Sequence, residues 1–183
     1  KVLGVAFQPL LDLALSRASA IIVTSPNLVE YSPTLRRFRD KCRVIPFGIV
    51  PEEFAAPQER QAAEIRAKYG SEIVLAVGRL VYYKGFEYLI RAMRSCSRGT
   101  ALIIGAGPLE ADLRRLAADL GVEDRVTLIG AVPDVRPYYE AASIFALPSV
   151  EPSEAFGIVQ LEAMAAGLPV INTDLPTGVP FVS

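Results

Sequence analysis

The chain has no histidine, no tryptophan and only two cysteines among its 183 residues. Without histidine, this chain cannot contain a histidine-based catalytic triad or a histidine metal site. Cys42 and Cys96 lie far apart in sequence, so we expect two free thiols rather than a disulfide. Two distant cysteines also cannot form a zinc site alone.

The chain also lacks a strong net charge and a long apolar run. Its 19 basic and 20 acidic residues leave a formal net charge of −1, so there is no basic field to hold nucleic acid. No apolar run is long enough to span a bilayer. The length allows one domain with a sizeable core. Lys1 stands where an initiator methionine is expected, which suggests a fragment.

Residues 1–50 differ in pattern from the rest of the chain. An apolar-rich stretch at 10–18 predicts a helix, and residues 20–23 predict a strand. Residues 44–48 predict a short strand that ends in a turn. The stretch 51–58 contains two prolines and mixed charge, which is typical of a linker.

From Glu59 onward, predicted helices and strands alternate regularly. Short, branched, apolar strands are predicted at 73–77, 101–104, 126–129, 144–147 and 170–171, with helices between them. This alternation predicts an α/β fold: a Rossmann-like, doubly wound parallel sheet with helices on both faces. Ligands of such sheets bind beyond the carboxyl ends of the strands.

Two carboxylates frame the helix that follows the strand at 144–147. Glu154 lies in the loop before the helix and Glu162 in its second turn, with seven residues between them. A helix N-terminus suits a phosphate, and carboxylates accept hydrogen bonds from sugar hydroxyls. On spacing alone, a loop charge and a solvated helix residue remain the simpler interpretation.

Residues 154–157 (Glu-Ala-Phe-Gly) and 161–171 (Leu-Glu-Ala-Met-Ala-Ala-Gly-Leu-Pro-Val-Ile) closely resemble a known segment. It is the Glu-x7-Glu segment of retaining glycosyltransferases of family 4, also called glycosyl transferases group 1, which have the GT-B architecture. The resemblance covers nearly the whole chain, but those enzymes are longer. It implies that residues 1–50 are the tail of an N-terminal acceptor-side domain with the crossover. Residues 51–183 would then be the C-terminal nucleotide-sugar donor-binding domain, truncated at its end.

The resemblance also implies which residues bind the donor. Arg79 and Lys84 would grip the diphosphate and stabilise the charge that develops on the leaving group. Glu154 would contact hydroxyls of the transferred sugar, and Glu162 the ribose of the nucleotide. Arg79, Lys84 and Glu154 are the candidate catalytic residues. The complete donor-binding set is Gly78, Arg79, Lys84, Gly107, Glu154, Ala155, Phe156, Gly157, Ile158 and Glu162.

Simpler interpretations stand beside these roles. Arg79 and Lys84, considered without the resemblance, would be two surface cations. Gly107 belongs to a Gly-x-Gly-Pro turn that lacks the third glycine of the dinucleotide fingerprint, and a tight strand-to-helix turn explains it.

The resemblance predicts a retaining glycosyltransferase, such as a mannosyltransferase of polysaccharide or lipopolysaccharide assembly. The donor would be a nucleotide-diphosphate sugar and the acceptor a glycan or a lipid-linked one, with no metal or other cofactor. We expect the isolated chain to be inactive, because the missing N-terminal domain would bind most of the acceptor. The implied location is the cytoplasm, and the alternative is peripheral association with the inner face of the membrane. Two alternatives stay open: a non-catalytic nucleotide- or sugar-binding module, and a nucleotide-sugar epimerase of the GT-B fold.

Overall fold

The computed structural model describes the backbone of residues 2–183 and the side-chain environment of residues 7–183. It contains ten α-helices in the described residues: α1 Val2–Arg17, α2 Pro26–Tyr31, α3 Pro33–Arg36, α4 Pro51–Ala55, α5 Glu59–Tyr69, α6 Phe86–Ser95, α7 Glu110–Asp119, α8 Arg136–Ala141, α9 Ile158–Ala165 and α10 Val179–Val182. The strands are β1 Ile21–Val23, β2 Cys42–Val44, β3 Ile73–Val77, β4 Thr100–Ile104, β5 Val126–Gly130, β6 Ile144–Leu147 and β7 Val170–Asn172. Two short 3₁₀ helices cover Arg39–Lys41 and Tyr82–Lys84.

Five parallel strands form the main sheet, in the spatial order β5-β4-β3-β6-β7. The chain first moves outward from β3 to β4 and β5, then crosses back to add β6 and β7 on the other side of β3. This is the strand order of a doubly wound nucleotide-binding sheet, whose switch point lies between β3 and β6. The predicted α/β class and parallel sheet are confirmed.

Apolar cores cover both faces of the main sheet. On β4, Ala101 and Ile103 belong to the core that α6 and α7 complete. Their neighbours Leu102 and Ile104 belong to the opposite core, which includes residues of α5, α8 and α9. Because successive side chains of a strand point to opposite faces, a strand between two helix layers must be apolar throughout. This explains why the central strands have continuous apolar sequences.

A second, smaller sheet pairs β1 with β2 in parallel. The predicted strand at 44–48 is placed too late, since the observed strand is Cys42–Val44 and only Ile45 continues the pairing, by donating to the Val23 carbonyl at 2.9 Å. Pro46 lacks an N–H and cannot extend the ladder. The predicted linker at 51–58 contains α4, which starts at Pro51, a residue well suited to the first helical turn.

Much of the apolar surface in residues 7–50 is exposed. Ten of the sixteen large apolar side chains that are exposed in the described region lie there. They are Phe7, Leu10, Leu11, Leu13, Ile22, Tyr31, Val44, Ile45, Phe47 and Val50. The core beneath the small sheet is correspondingly modest, with Ile21, Val23 and Val29 as its buried members.

Two aromatic contacts join residues 2–50 (the small unit) and the segment 51–58 (the linker) to residues 59–183 (the main unit). Phe47 packs edge-on against Phe156 with the ring centroids 5.4 Å apart. Phe54, in α4, packs edge-on against Tyr139 at 6.0 Å. Both cysteines are free thiols, as predicted. Within the part of the chain described here, no helix combines the length and apolarity that a membrane crossing requires.

Candidate functional site

The predicted donor-binding residues lie mostly on the loops that follow β3 and β6. These strands are neighbours in the sheet, and the chain changes direction between them. Arg79 and Lys84 follow β3, whereas Glu154 follows β6. Since both strands are parallel, their carboxyl ends lie at the same edge, and the two loops meet there. The structure therefore brings Lys84 and Glu154 together although 70 residues separate them.

Gly85 allows the two loops to approach closely. It ends the 3₁₀ turn Tyr82–Lys84 with a φ of +65°, a conformation that favours glycine. A Cβ at Gly85 would stand 2.0 Å from the carbonyl oxygen of Pro148. The amide of Val150 also donates to the carbonyl of Tyr83 at 2.8 Å. Backbone contacts thus fix the loop that carries Lys84 against the loop that carries Glu154.

Lys84 and Glu154 form a largely buried ion pair. Lys84 Nζ lies 2.5 Å from Glu154 Oε2, with the two side chains 12% and 10% exposed. Ser149, fully buried, donates from its hydroxyl to the same Oε2 at 2.9 Å. One oxygen of the carboxylate is therefore held by both a cation and a hydroxyl, which restrains the orientation of Glu154.

Glu162 has a different partner. It lies in α9, half-buried, and its Oε2 accepts a hydrogen bond of 2.8 Å from the hydroxyl of Tyr139 in α8. Burial, and then the charge of Glu162, raise the pKa of Tyr139 far above its usual value. The phenol therefore stays protonated and acts as a hydrogen-bond donor throughout the physiological pH range. No hydrogen bond links Glu162 to Glu154 among residues 7–183.

Arg79 and Gly78 occupy the start of the loop after β3. Arg79 is exposed, and within residues 7–183 it forms no ion pair or side-chain hydrogen bond. Gly78 lies beside the Lys84 side chain, because a Cβ built on it would be 3.2 Å from Lys84 Cε. The same loop thus carries both cations: Arg79 is exposed to solvent, and Lys84 is paired with Glu154.

Gly107 packs against this loop from the neighbouring strand. A Cβ on Gly107 would stand 2.4 Å from the carbonyl oxygen of Leu80. The Leu80 amide in turn donates to the carbonyl of Ala106 at 3.0 Å. These contacts explain the glycine by close backbone packing.

The segment 155–158 connects the Glu154 loop to α9. Ala155 is exposed and its carbonyl accepts from the Gly178 amide at 2.8 Å, while Phe156 is buried. Gly157, with φ +73°, is the N-cap residue of α9, and it has no side chain that could accept a hydrogen bond from the first N–H groups of the helix. The first backbone N–H groups of α9 therefore have no side-chain acceptor, and Ile158 beside them is 40% exposed.

A cavity of about 440 Å³ lies elsewhere, between α6 and α7. It is bordered by Val81 and Tyr82 but by none of the predicted donor-binding residues. Those residues instead form an open edge of the sheet. Among the described residues, no group of three or more His, Cys, Asp or Glu side chains is arranged to hold a metal ion.

Sequence reasoning missed Ser149 and Tyr139. Ser149 stands among loop residues that suggest only a turn. Tyr139 is an aromatic residue in a predicted helix, where a core position is the ordinary expectation. No local pattern signals that either hydroxyl meets a glutamate, because the Tyr139–Glu162 contact spans 23 residues and depends on α8 lying beside α9.

Residues 57–182 match the family described as "Glycosyl transferases group 1". The chain is 36% identical to O-antigen chain mannosyltransferase C of Escherichia coli, over 97% of this chain and 47% of that protein. It is 34% identical to the D-rhamnosyltransferase WbpZ of Pseudomonas aeruginosa, over 100% of this chain and 48% of that protein.

Solved structures share the fold. The crystal structure of Anabaena Alr3699/HepE in complex with UDP superposes with a TM-score of 0.81 at 25% identity, over 93% of this chain and 48% of that one. The chain spans about half the length of the two curated relatives described above, since the match covers 47% of one and 48% of the other.

Proposed function

Because this chain belongs to the glycosyl transferases group 1 family, we propose that it is the nucleotide-sugar donor-binding part of a glycosyltransferase. The observation that carries the proposal is the Lys84–Glu154 pair at the switch point of the sheet, with the exposed Arg79 in the same loop. This is the place where doubly wound sheets bind nucleotides. Residues 51–183 would form the donor-binding domain, and residues 1–50 would belong to the acceptor-side domain and the crossover.

The diphosphate of the donor would bind between the two loops. Arg79 offers a guanidinium fork that suits two phosphate oxygens. Lys84 has three N–H donors, of which Glu154 occupies one in the structure, so that two stay available for phosphate oxygens. The uncapped start of α9 adds backbone N–H groups and the positive end of a helix dipole. These fixed cations would stabilise the leaving nucleotide diphosphate without a metal.

The two glutamates would divide the rest of the donor between them. Glu154 would accept hydrogen bonds from hydroxyls of the transferred sugar, next to the diphosphate. Glu162 would accept hydrogen bonds from the ribose of the nucleotide. Gly78, Gly107 and the segment 155–158 would supply backbone contacts, which need no particular side chain.

The finer identity of the reaction is also part of the proposal. We propose a retaining enzyme of family 4 that transfers mannose or a related sugar, since one relative is a mannosyltransferase and another a rhamnosyltransferase. The UDP in a similar structure supports a nucleoside diphosphate as the leaving group. The acceptor would be a glycan or a lipid-linked glycan, bound largely outside this chain, at the cytoplasmic face of the membrane. These relatives are transferases, so they favour neither the non-catalytic module nor the epimerase.

Calorimetry on glutamate variants tests the proposal. Glu162→Ala should weaken a nucleoside diphosphate and the intact nucleotide sugar alike, each by about 1.5–3 kcal/mol, the worth of a hydrogen bond to a charged group. Glu154→Ala should not weaken the nucleoside diphosphate, because that ligand lacks the sugar. In the full-length enzyme, Glu154→Ala should lower turnover.

The probes are UDP and GDP, then UDP-glucose and GDP-mannose, with Glu151→Ala as a control on an exposed carboxylate of the same loop. Chelation of divalent metals should leave the affinity unchanged. If Glu154→Ala harms nucleoside diphosphate binding as much as Glu162→Ala does, the proposed division is wrong. If the unaltered chain binds none of the four probes, the proposal of a donor site fails.

A further inference from the structure

The two glutamates of the proposed site are held in the same way. In each, Oε2 accepts a hydrogen bond from a hydroxyl of a fully buried residue: Ser149 for Glu154, at 2.9 Å, and Tyr139 for Glu162, at 2.8 Å. In neither does Oε1 have a hydrogen-bond partner among residues 7–183. The two hydroxyls come from different elements, the loop after β6 and helix α8.

Each unpartnered Oε1 atom retains some contact with solvent. Among the described residues, Thr24 Oγ1 is the only buried side-chain oxygen or nitrogen without a hydrogen-bond partner. The Oε1 atoms of Glu154 and Glu162 are therefore accessible. A carboxylate that is anchored through one oxygen and open at the other can accept a hydrogen bond from a ligand hydroxyl without reorienting first.

The residues that carry the two hydroxyls are themselves held by other contacts. Thr173, in the loop after β7, donates a hydrogen bond to the carbonyl of Ser149. The ring of Tyr139 packs against Phe54 at 6.0 Å and against Phe145 at 5.7 Å. An anchor that cannot move is what orienting a ligand-binding group requires. A purely structural role would need no open oxygen on the far side of each carboxylate.

We propose that Ser149 and Tyr139 are positioning residues of the donor site, which orient Glu154 toward the transferred sugar and Glu162 toward the ribose. The inference rests on the proposed function, because it assigns the supports of the two glutamates that bind the donor. Each hydroxyl acts through its glutamate and touches no ligand. Loss of either one should therefore affect only the part of the donor that its glutamate contacts.

Two conservative variants separate these effects. Tyr139→Phe removes one oxygen and should weaken UDP or GDP and the matching nucleotide sugar by the same factor, about tenfold for a lost hydrogen bond to a charged group. Ser149→Ala should leave UDP or GDP unchanged and weaken UDP-glucose or GDP-mannose about tenfold. For Ser149→Ala the ratio of the two affinities is the readout, since general loosening of the fold would weaken both ligands. For Tyr139→Phe, which should weaken both, the readout is the Glu162→Ala background described below.

Matched controls share the chemical change but lack the contact. Tyr138→Phe alters the neighbouring residue of α8, whose hydroxyl makes no hydrogen bond with residues 7–183. Ser153→Ala alters an exposed serine in the Glu154 loop. Both controls should bind all probes as the unaltered chain does.

A double-variant measurement tests whether Tyr139 acts through Glu162. In a Glu162→Ala background, Tyr139→Phe should cause no further loss of nucleotide affinity, because its target is gone. Additive losses would overturn the inference, as would Tyr139→Phe and Ser149→Ala chains that bind every probe normally. Neither of these two results would contradict the proposal that the chain has a donor site. If the unaltered chain binds no probe, the proposed function falls and takes this inference with it.

Discussion

Breaking the Lys84–Glu154 ion pair should destabilise the main unit strongly. We consider Lys84→Met, which removes the cation and keeps an apolar stem, and Glu154→Gln, which removes the charge and keeps an acceptor for Ser149. Each leaves the opposite charge without its partner in a place where only 12% or 10% of the side chain is exposed. Removing one partner of a buried ion pair typically costs about 3–5 kcal/mol.

The lower end of that range applies here, because both side chains retain some contact with water. We expect each single variant to lose about 3 kcal/mol of unfolding free energy. The double variant should lose much less than the sum of the two, since no unpaired charge remains buried. The coupling energy between the two positions should therefore be at least about 2 kcal/mol.

Urea denaturation followed by circular dichroism measures this, with all four forms at one pH and salt concentration. The pair Arg60–Glu64 serves as control, because its side chains are 90% and 65% exposed and such surface pairs couple by about 0.5 kcal/mol. If Lys84 and Glu154 couple no more strongly than Arg60 and Glu64, the buried pair does not contribute as argued. A double variant whose loss equals the sum of the two single losses would also contradict the reasoning.

Three further predictions concern packing, pH and dynamics. Gly107→Ala should lower the unfolding free energy by about 1–3 kcal/mol, because its Cβ would stand 2.4 Å from the Leu80 carbonyl oxygen. Gly48→Ala is the control, because a Cβ there meets nothing within 4 Å and should change the stability little. Thermal denaturation of the two variants measures the difference. Arg136, hydrogen-bonded to Asp134, lowers the pKa of that carboxyl, so its stabilisation is present above about pH 4 and is lost as the pH falls further. Asp134→Asn should therefore lower the unfolding free energy by about 0.5 kcal/mol at pH 6 and by less at pH 2 in urea titrations, the small size reflecting side chains that are 40% and 36% exposed. Hydrogen exchange should be faster throughout residues 2–50 than in β3 and β4, and equal protection would argue against a separate unit in residues 1–50.

Most of the main unit could be predicted because its signals are local. A run such as 101–104 is apolar throughout because helices cover both of its faces, and Phe86, Leu89, Ile90 and Met93 are all buried on one face of α6. The small unit was predicted less well. The strand at 42–44 is short and half exposed, so its sequence carries little periodic pattern, and the start of α4 at Pro51 resembles a linker.

The sequence alone determined the alternation of helices and strands and the carboxyl ends of the strands as the place to search, and its resemblance to a known family supplied the candidates Arg79, Lys84, Glu154 and Glu162. Periodicity and motif spacing are properties of neighbouring residues, so they can be recognised without a structure. Only the tertiary structure decided that Lys84 pairs with Glu154, and that Ser149 and Tyr139 each hold a glutamate by one oxygen. Those contacts depend on β3 lying beside β6 and on α8 lying beside α9. That arrangement follows from how the layers bury their apolar faces together, which no short stretch of sequence specifies.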